Sequence, residues 1–128
     1  MMEYPDNLLY TEEHEWADYD KGAGTVTIGI TDFAQSELGD IVFLELPDEG
    51  DEITAGDVLG TIEAVKTVAD IYAPVSGTVT AVNESLEDSP ELVNDDPFKT
   101  GWIVKLSPAD PDELESLLSL AEYKKLIE

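Results

Sequence analysis

Lys66 is the one basic residue between Lys21 and Lys99, and it lies between two short apolar runs at residues 57–65 and 68–72. Such runs, rich in Val, Ile and Thr, suit β-strands, so the lysine falls at the tip of a tight hairpin. A primary amine held at a hairpin tip is an exposed nucleophile at a defined place, which an enzyme that modifies lysine requires. A lone lysine is by itself an ordinary surface cation; its neighbours sharpen the reading. Glu63 precedes it by three residues and Gly77 follows by eleven, after Ala73-Pro74-Val75-Ser76. Gly77 is expected to supply a backbone angle closed to most other residues.

Other chemistries are excluded by residue type. The chain has one histidine, His14, and no cysteine. That removes a catalytic triad, thiolate chemistry, structural disulfides, and Cys- or His-rich metal sites. No Gly-rich phosphate loop occurs. Redox chemistry must therefore come from an attached group. Pairs of carboxylates are expected by chance among 30 acidic residues, and their default place is a solvated surface.

The elements that must position the lysine are β-strands. Residues 25–30 alternate with period two, as a half-buried strand does. Residues 32–39 read as a short helix, with Thr31 or Asp32 as cap, Gln35 completing a box with Asp32, and Gly39 as exit. Residues 41–46 read as a mostly buried strand ending at Pro47. Residues 78–82 and 101–106 are further strands, and Ser89-Pro90 opens a short helix with Ser89 as cap. Gly60-Thr61-Ile62 and Gly77-Thr78-Val79 are weakly alike, as two pseudo-symmetric sheets would be. Asp110-Pro111 then starts a helical C-terminus over about 111–127, in which Ser119 and Glu122 can open a second short helix.

The 128 residues fit one domain, and 42% hydrophobic content supports a folded core. Six lysines against 30 acids give a net charge of -24, which repels nucleic acid and anionic membranes. Such a field also strains the compact state unless ions screen it, so adaptation to a salty cytoplasm is expected. The N-terminus shows neither a signal sequence nor a transit peptide, so a cytoplasmic protein, or an already mature form, is expected.

The stretch from Gly60 to Gly77, with Glu63, Lys66 and Asp70, resembles the lipoylation segment of glycine cleavage H proteins. Further matches follow that family in order: His14-Glu15-Trp16, Gly29-Ile30-Thr31-Asp32-Phe33-Ala34-Gln35, Leu38-Gly39-Asp40-Ile41-Val42, Asn83-Glu84, Asn94-Asp95-Asp96-Pro97 and Gly101-Trp102. The resemblance covers nearly the whole chain. It implies a mainly β fold, a flattened barrel or sandwich with short helices, and lipoate joined covalently to Lys66. It implies a carrier without turnover of its own. A pyridoxal-phosphate glycine decarboxylase would load an aminomethyl group, an aminomethyltransferase would remove it, and dihydrolipoyl dehydrogenase would reoxidise the dithiol. A lipoate ligase or lipoyl transferase would install the group, with Glu63 and Gly77 as recognition residues. By position, Glu15 and Asp70 match acidic residues of a cleft that receives the folded-back arm; Glu13 stands where a small polar residue is usual.

The role suits the chemistry of the chain. A flexible arm gives a high local concentration at each docked partner, and a chain without thiols cannot exchange with the lipoyl disulfide. Lipoyl domains of 2-oxo acid dehydrogenases and biotin carriers are the nearest rivals, but they are shorter. Biotin carriers also favour methionines beside the lysine, where this chain has Val65 and Thr67. An H-like protein that donates lipoate to other proteins is the alternative function.

Overall fold

The structure, a computed structural model, describes residues 4–127. In chain order the elements are β1 (Leu9–Tyr10), β2 (Glu15–Asp20), β3 (Thr25–Ile30), α1 (Asp32–Leu38), β4 (Ile41–Glu45), β5 (Glu52–Ile53), β6 (Val58–Ala64) and β7 (Val68–Tyr72). Then come β8 (Gly77–Val82), α2 (Ser85–Asp88), α3 (Leu92–Asp95), β9 (Val104–Pro108), a 3₁₀ helix (Pro111–Ser116) and α4 (Leu120–Ile127). The strands form a six-stranded sheet, β1-β2-β3-β9-β8-β5, and a three-stranded sheet, β4-β6-β7. All the named pairings are antiparallel. The mainly β expectation therefore holds. The similar runs at Gly60 and Gly77 fall in different sheets of unequal size.

One apolar cluster joins the two sheets. Ile28, Val79 and Leu106 of the large sheet share it with Ile41, Leu44, Ile62 and Ile71 of the small one. Full burial of each such side chain contributes roughly 1.5–3 kcal/mol. The small sheet departs from strict alternation. Its register shifts between Ile41 and Phe43 in β4, and between Val58 and Gly60 in β6. Each shift is a one-residue bulge, which lets residues three apart face the same side. Ile41 and Leu44 are thus both buried while Val42 and Phe43 are exposed. The expectation of a mostly buried strand at 41–46 fails for this reason.

A second cluster, mainly aromatic, ties the C-terminus to the N-terminal strands. Tyr123 of α4 stacks on Tyr10 of β1, with ring centroids 4.9 Å apart, and both are buried beside Trp16. The Trp16 indole donates to the Pro97 carbonyl at 2.9 Å. A Cβ at position 29 would lie 2.6 Å from that indole, so only glycine leaves it room.

The C-terminal expectation holds in part. Asp110 accepts from the Asp112 N–H at the start of the 3₁₀ helix. The helical stretch is then broken where Leu118 bridges to Tyr10. Ser119 and Glu122 form a reciprocal box at the start of α4, each side chain accepting the other's backbone N–H, at 2.9 and 3.2 Å. Ser89 is not the N-cap expected; it closes α2 as its C-cap, its N–H donating to the Ser85 carbonyl at 2.9 Å. The helix expected after Ser89 begins later, at Leu92, and Glu91 precedes it without a side-chain cap.

Candidate functional site

Lys66 occupies the tip of the β6–β7 hairpin. The Ala64 N–H donates to the Thr67 carbonyl at 2.8 Å, which leaves Val65 and Lys66 as a two-residue loop. The Val65 N–H donates to the Asp40 carbonyl at 3.0 Å and ties the tip to the loop after α1. Lys66 is exposed, and its aliphatic stem passes over Gly39. A Cβ at position 39 would lie 3.2 Å from Lys66 Cε, and Gly39 has φ +82°, open to glycine and strained for other residues. Asn94 fixes this corner. Its Nδ2 donates to Gln35 Oε1 and the Gly39 carbonyl, both at 2.9 Å, and its Oδ1 accepts from the Ile41 N–H at 3.0 Å.

Thr31 is the helix cap, and Gln35 meets Asp32 side chain to side chain rather than in the box expected. Thr31 Oγ1 accepts from the Ala34 N–H at 3.2 Å, and Gln35 Nε2 donates to Asp32 Oδ1 at 2.8 Å. Gly39 has positive φ, but its ψ of -157° lies outside the left-handed helical region.

A cleft of about 250 Å³ lies between α1, the start of β2 and the hairpin strands. Ile30, Phe33, Leu38, Ile62 and Ile71 make its apolar part, and Glu13, Glu15, Glu37 and Asp70 bring four carboxylates to it. The sequence pairing of Glu15 with Asp70 is therefore met in space. Their settings differ. Asp70 is exposed on β7. Glu15 is only 2% exposed; one carboxylate oxygen accepts from the Thr11 hydroxyl at 2.6 Å and the other from the Tyr72 N–H at 3.1 Å. Burial pushes its pKa up to about 6, against the pull of those two hydrogen bonds. Glu15 is thus a strut between β2 and β7 as well as part of the cleft wall.

Glu63 is exposed on β6. Its cross-strand neighbours are Phe43 and Val68. With Val42 and Val65 these form an apolar collar around the lysine, each of the four more than half exposed. Gly77 is not near the tip. It pairs with Ile53 and Pro108 in the large sheet, outside the β6–β7 hairpin that carries Lys66. Its φ is not positive. A Cβ there would run into the Ser107 carbonyl and lie 3.1 Å from Pro108 Cα. Close approach of β9, not a special backbone angle, is why glycine stands there.

Sequence reasoning missed Phe33 and Glu37, which line the cleft from α1; their i, i+4 spacing was the available signal. Tyr123, which reaches the His14 ring, left no sequence signal because the contact spans 109 positions. Among the described residues, no group of three or more His, Asp or Glu side chains is arranged to hold a metal ion, and no helix is long and apolar enough to cross a membrane.

Residues 8–128 match the model of the family described as glycine cleavage H-protein. The chain belongs to that family. A glycine cleavage system H protein from Listeria monocytogenes is 57% identical over 127 residues, covering 99% of this chain and 100% of that one. One from the halophile Chromohalobacter salexigens is also 57% identical, covering 99% and 96%. The crystal structure of a glycine cleavage system H protein from Mycobacterium marinum superposes with a TM-score of 0.87 at 38% identity, covering 95% of this chain and 97% of that one. As a glycine cleavage H protein, the chain is a lipoyl carrier of the glycine cleavage system, with covalently attached lipoate, and it works with the other components of that system.

Proposed function

We propose that Lys66 is the lipoylated residue and that residues 1–128 act as one carrier domain with no turnover of its own. The observation that carries this reading is an exposed lysine on a two-residue hairpin tip, beside an apolar cleft edged by carboxylates. The cleft fits the group: its apolar floor suits an alkyl chain and dithiolane, and its acids suit a cationic cargo. Lipoate held by Lys66 would supply a disulfide–dithiol couple able to carry an aminomethyl unit between a pyridoxal-phosphate glycine decarboxylase and an aminomethyltransferase, with dihydrolipoyl dehydrogenase oxidising the dithiol.

The chain's own residues do the rest. The hairpin presents the amine to a lipoate ligase or lipoyl transferase, and Glu63 with its apolar collar offers that enzyme a charged landmark three residues from the target. Gly39 keeps the ground under the lysine stem clear. Asp70, four residues from the lysine on the strand leaving the tip, lies on the path of an arm that folds back into the cleft. There it attracts a protonated amine in a site that partly excludes water. Glu15 supports the cleft wall and adds negative charge when ionised. Peptide mapping of protein lipoylated in a cell should find lipoate on Lys66, and Lys66→Ala should abolish both the modification and the carrier activity. Lipoate on another lysine would overturn the assignment.

A further inference from the structure

His14 has features that the carrier role above does not use. Its backbone lies at φ +72°, the only positive value outside glycine among the described residues. Histidine tolerates that region better than most residues, but the conformation still has to be held in place. It is held: the His14 N–H donates to the Thr11 carbonyl at 3.1 Å, and its carbonyl accepts from the Thr31 N–H at 3.0 Å. The ring then sits 4.7 Å from that of Phe33, on the cleft wall.

Two hydroxyls link the ring to the buried cap of α1. Thr31 is fully buried. Its Oγ1 accepts from the Ala34 N–H and lies 2.8 Å from the Tyr123 hydroxyl, a bond in which either oxygen can be the donor. The Tyr123 hydroxyl lies 2.8 Å from His14 Nδ1, and in a relay that runs from Thr31 through Tyr123 it is the donor to that nitrogen. Nδ1 is then an acceptor, and in a neutral imidazole the proton lies on Nε2. Nε2 has no partner among the described residues, and none of their side-chain polar atoms is both buried and unpartnered. It is therefore accessible, on a ring that lines the cleft.

We propose that His14 is a positioning residue of the arm cleft: Thr31 and Tyr123 fix its Nε2–H tautomer, and that N–H donates to an acceptor atom of the folded-back arm. The proposal rests on the carrier reading of Lys66 and adds a specific holder to it. The arm itself brings acceptors, an amide oxygen and sulfurs. The carboxylates facing the ring, Glu13 beside it, Glu15 of β2, Glu37 of α1 and Asp70 of β7, accept hydrogen bonds when ionised and cannot serve those atoms. His14 supplies the missing donor. Burial lowers its pKa, and the opposing pull of Glu13 and Glu37 is smaller, which favours the neutral ring. Tyr123 belongs to α4, so the C-terminal helix sets a ring on the cleft wall.

The test is nitrogen NMR of ¹⁵N-histidine-labelled protein, which contains one histidine, with and without lipoate on Lys66 confirmed by mass. The expected result is a bare Nδ1 and protonated Nε2 in both forms, with the Nε2 signal shifted and its proton exchange slowed on lipoylation. Tyr123→Phe keeps the ring packing and removes the hydroxyl. It should mix the tautomers, raise the pH at which His14 protonates, and weaken arm docking about fivefold, as expected for one neutral hydrogen bond. A predominant Nδ1–H tautomer in the unsubstituted protein overturns the proposal. So does an Nε2 signal indifferent to lipoylation. Both results leave lipoylation of Lys66 standing, and that reading fails separately if mass mapping places lipoate elsewhere.

Discussion

Replacing Glu15 by glutamine should stabilise the protein at pH 8 and lose that advantage as the pH falls to 4.5. The carboxyl is 2% exposed and burial lifts its pKa from 4.5 to about 6. The folded state therefore binds this proton more tightly than the unfolded state. Between pH 4.5 and 6 the native protein holds more protons, so stability falls as pH rises through that window. At 1.36 kcal/mol for each tenfold change, the displacement corresponds to about 2 kcal/mol lost above pH 6. Glutamine removes the ionisation. Its carbonyl can still accept from the Tyr72 N–H and its amide can donate to Thr11 Oγ1. Giving up the short Thr11 hydrogen bond to a carboxylate, 2.6 Å, offsets part of the gain. The expected net effect is about 1–2 kcal/mol at pH 8, or roughly 3–8 °C in melting temperature for a chain of this size. Thermal melts of both proteins at pH 8, 6 and 4.5, at one fixed high salt concentration, measure it. A glutamine variant less stable at pH 8, or a difference that does not shrink by pH 4.5, would refute the reasoning. It would show that the two hydrogen bonds outweigh burial.

Gly77→Ala should lower stability by about 1–3 kcal/mol, because the added methyl meets the β9 backbone rather than a movable side chain; a denaturant titration checks this. Glu63→Ala, on an exposed strand position, should leave stability within about 0.5 kcal/mol while slowing lipoylation. An unchanged rate with a purified lipoate ligase or lipoyl transferase would remove Glu63 from recognition. With a net charge of -24, the melting temperature should rise as sodium chloride is increased from low millimolar to molar concentration. A flat series would dismiss salt adaptation, which sequence identity cannot decide, since the Listeria and Chromohalobacter relatives are equally close.

What the sequence revealed depended on how local the cause was. The β3 strand spans the residues its alternation marked and alternates from Thr25 to Ile28, with Gly29 buried as well, and the Thr31 cap and the Ser119–Glu122 box formed as their spacing required. These signals lie within a few residues of one another. The lysine's place on a hairpin was legible for the same reason. The two-residue strands β1 and β5 were not, because neither is long enough to show a period; their pairings with β2 and β8 define them. The buried state of Glu15 was equally hidden. Its partners are Thr11, four residues away, and the Tyr72 backbone, 57 away, and the second cannot be read from a string. The special backbone angle expected of Gly77 is not there. Its constraint comes from Ser107 across the sheet.

The bulges around the hairpin bear on how this chain can change its length over evolution. A deletion inside a regular strand turns every residue beyond it to the opposite face, so apolar side chains meet solvent and polar ones meet the core. At Val42 the extra residue is already looped out between Ile41, opposite Ala64, and Phe43, opposite Glu63. Losing it would restore plain pairing, with Phe43, Leu44 and Glu45 still opposite their present partners. The strand that borders the lysine hairpin thus contains a position where a one-residue deletion is compatible with the fold, and the segment between Phe43 and Glu45 does not.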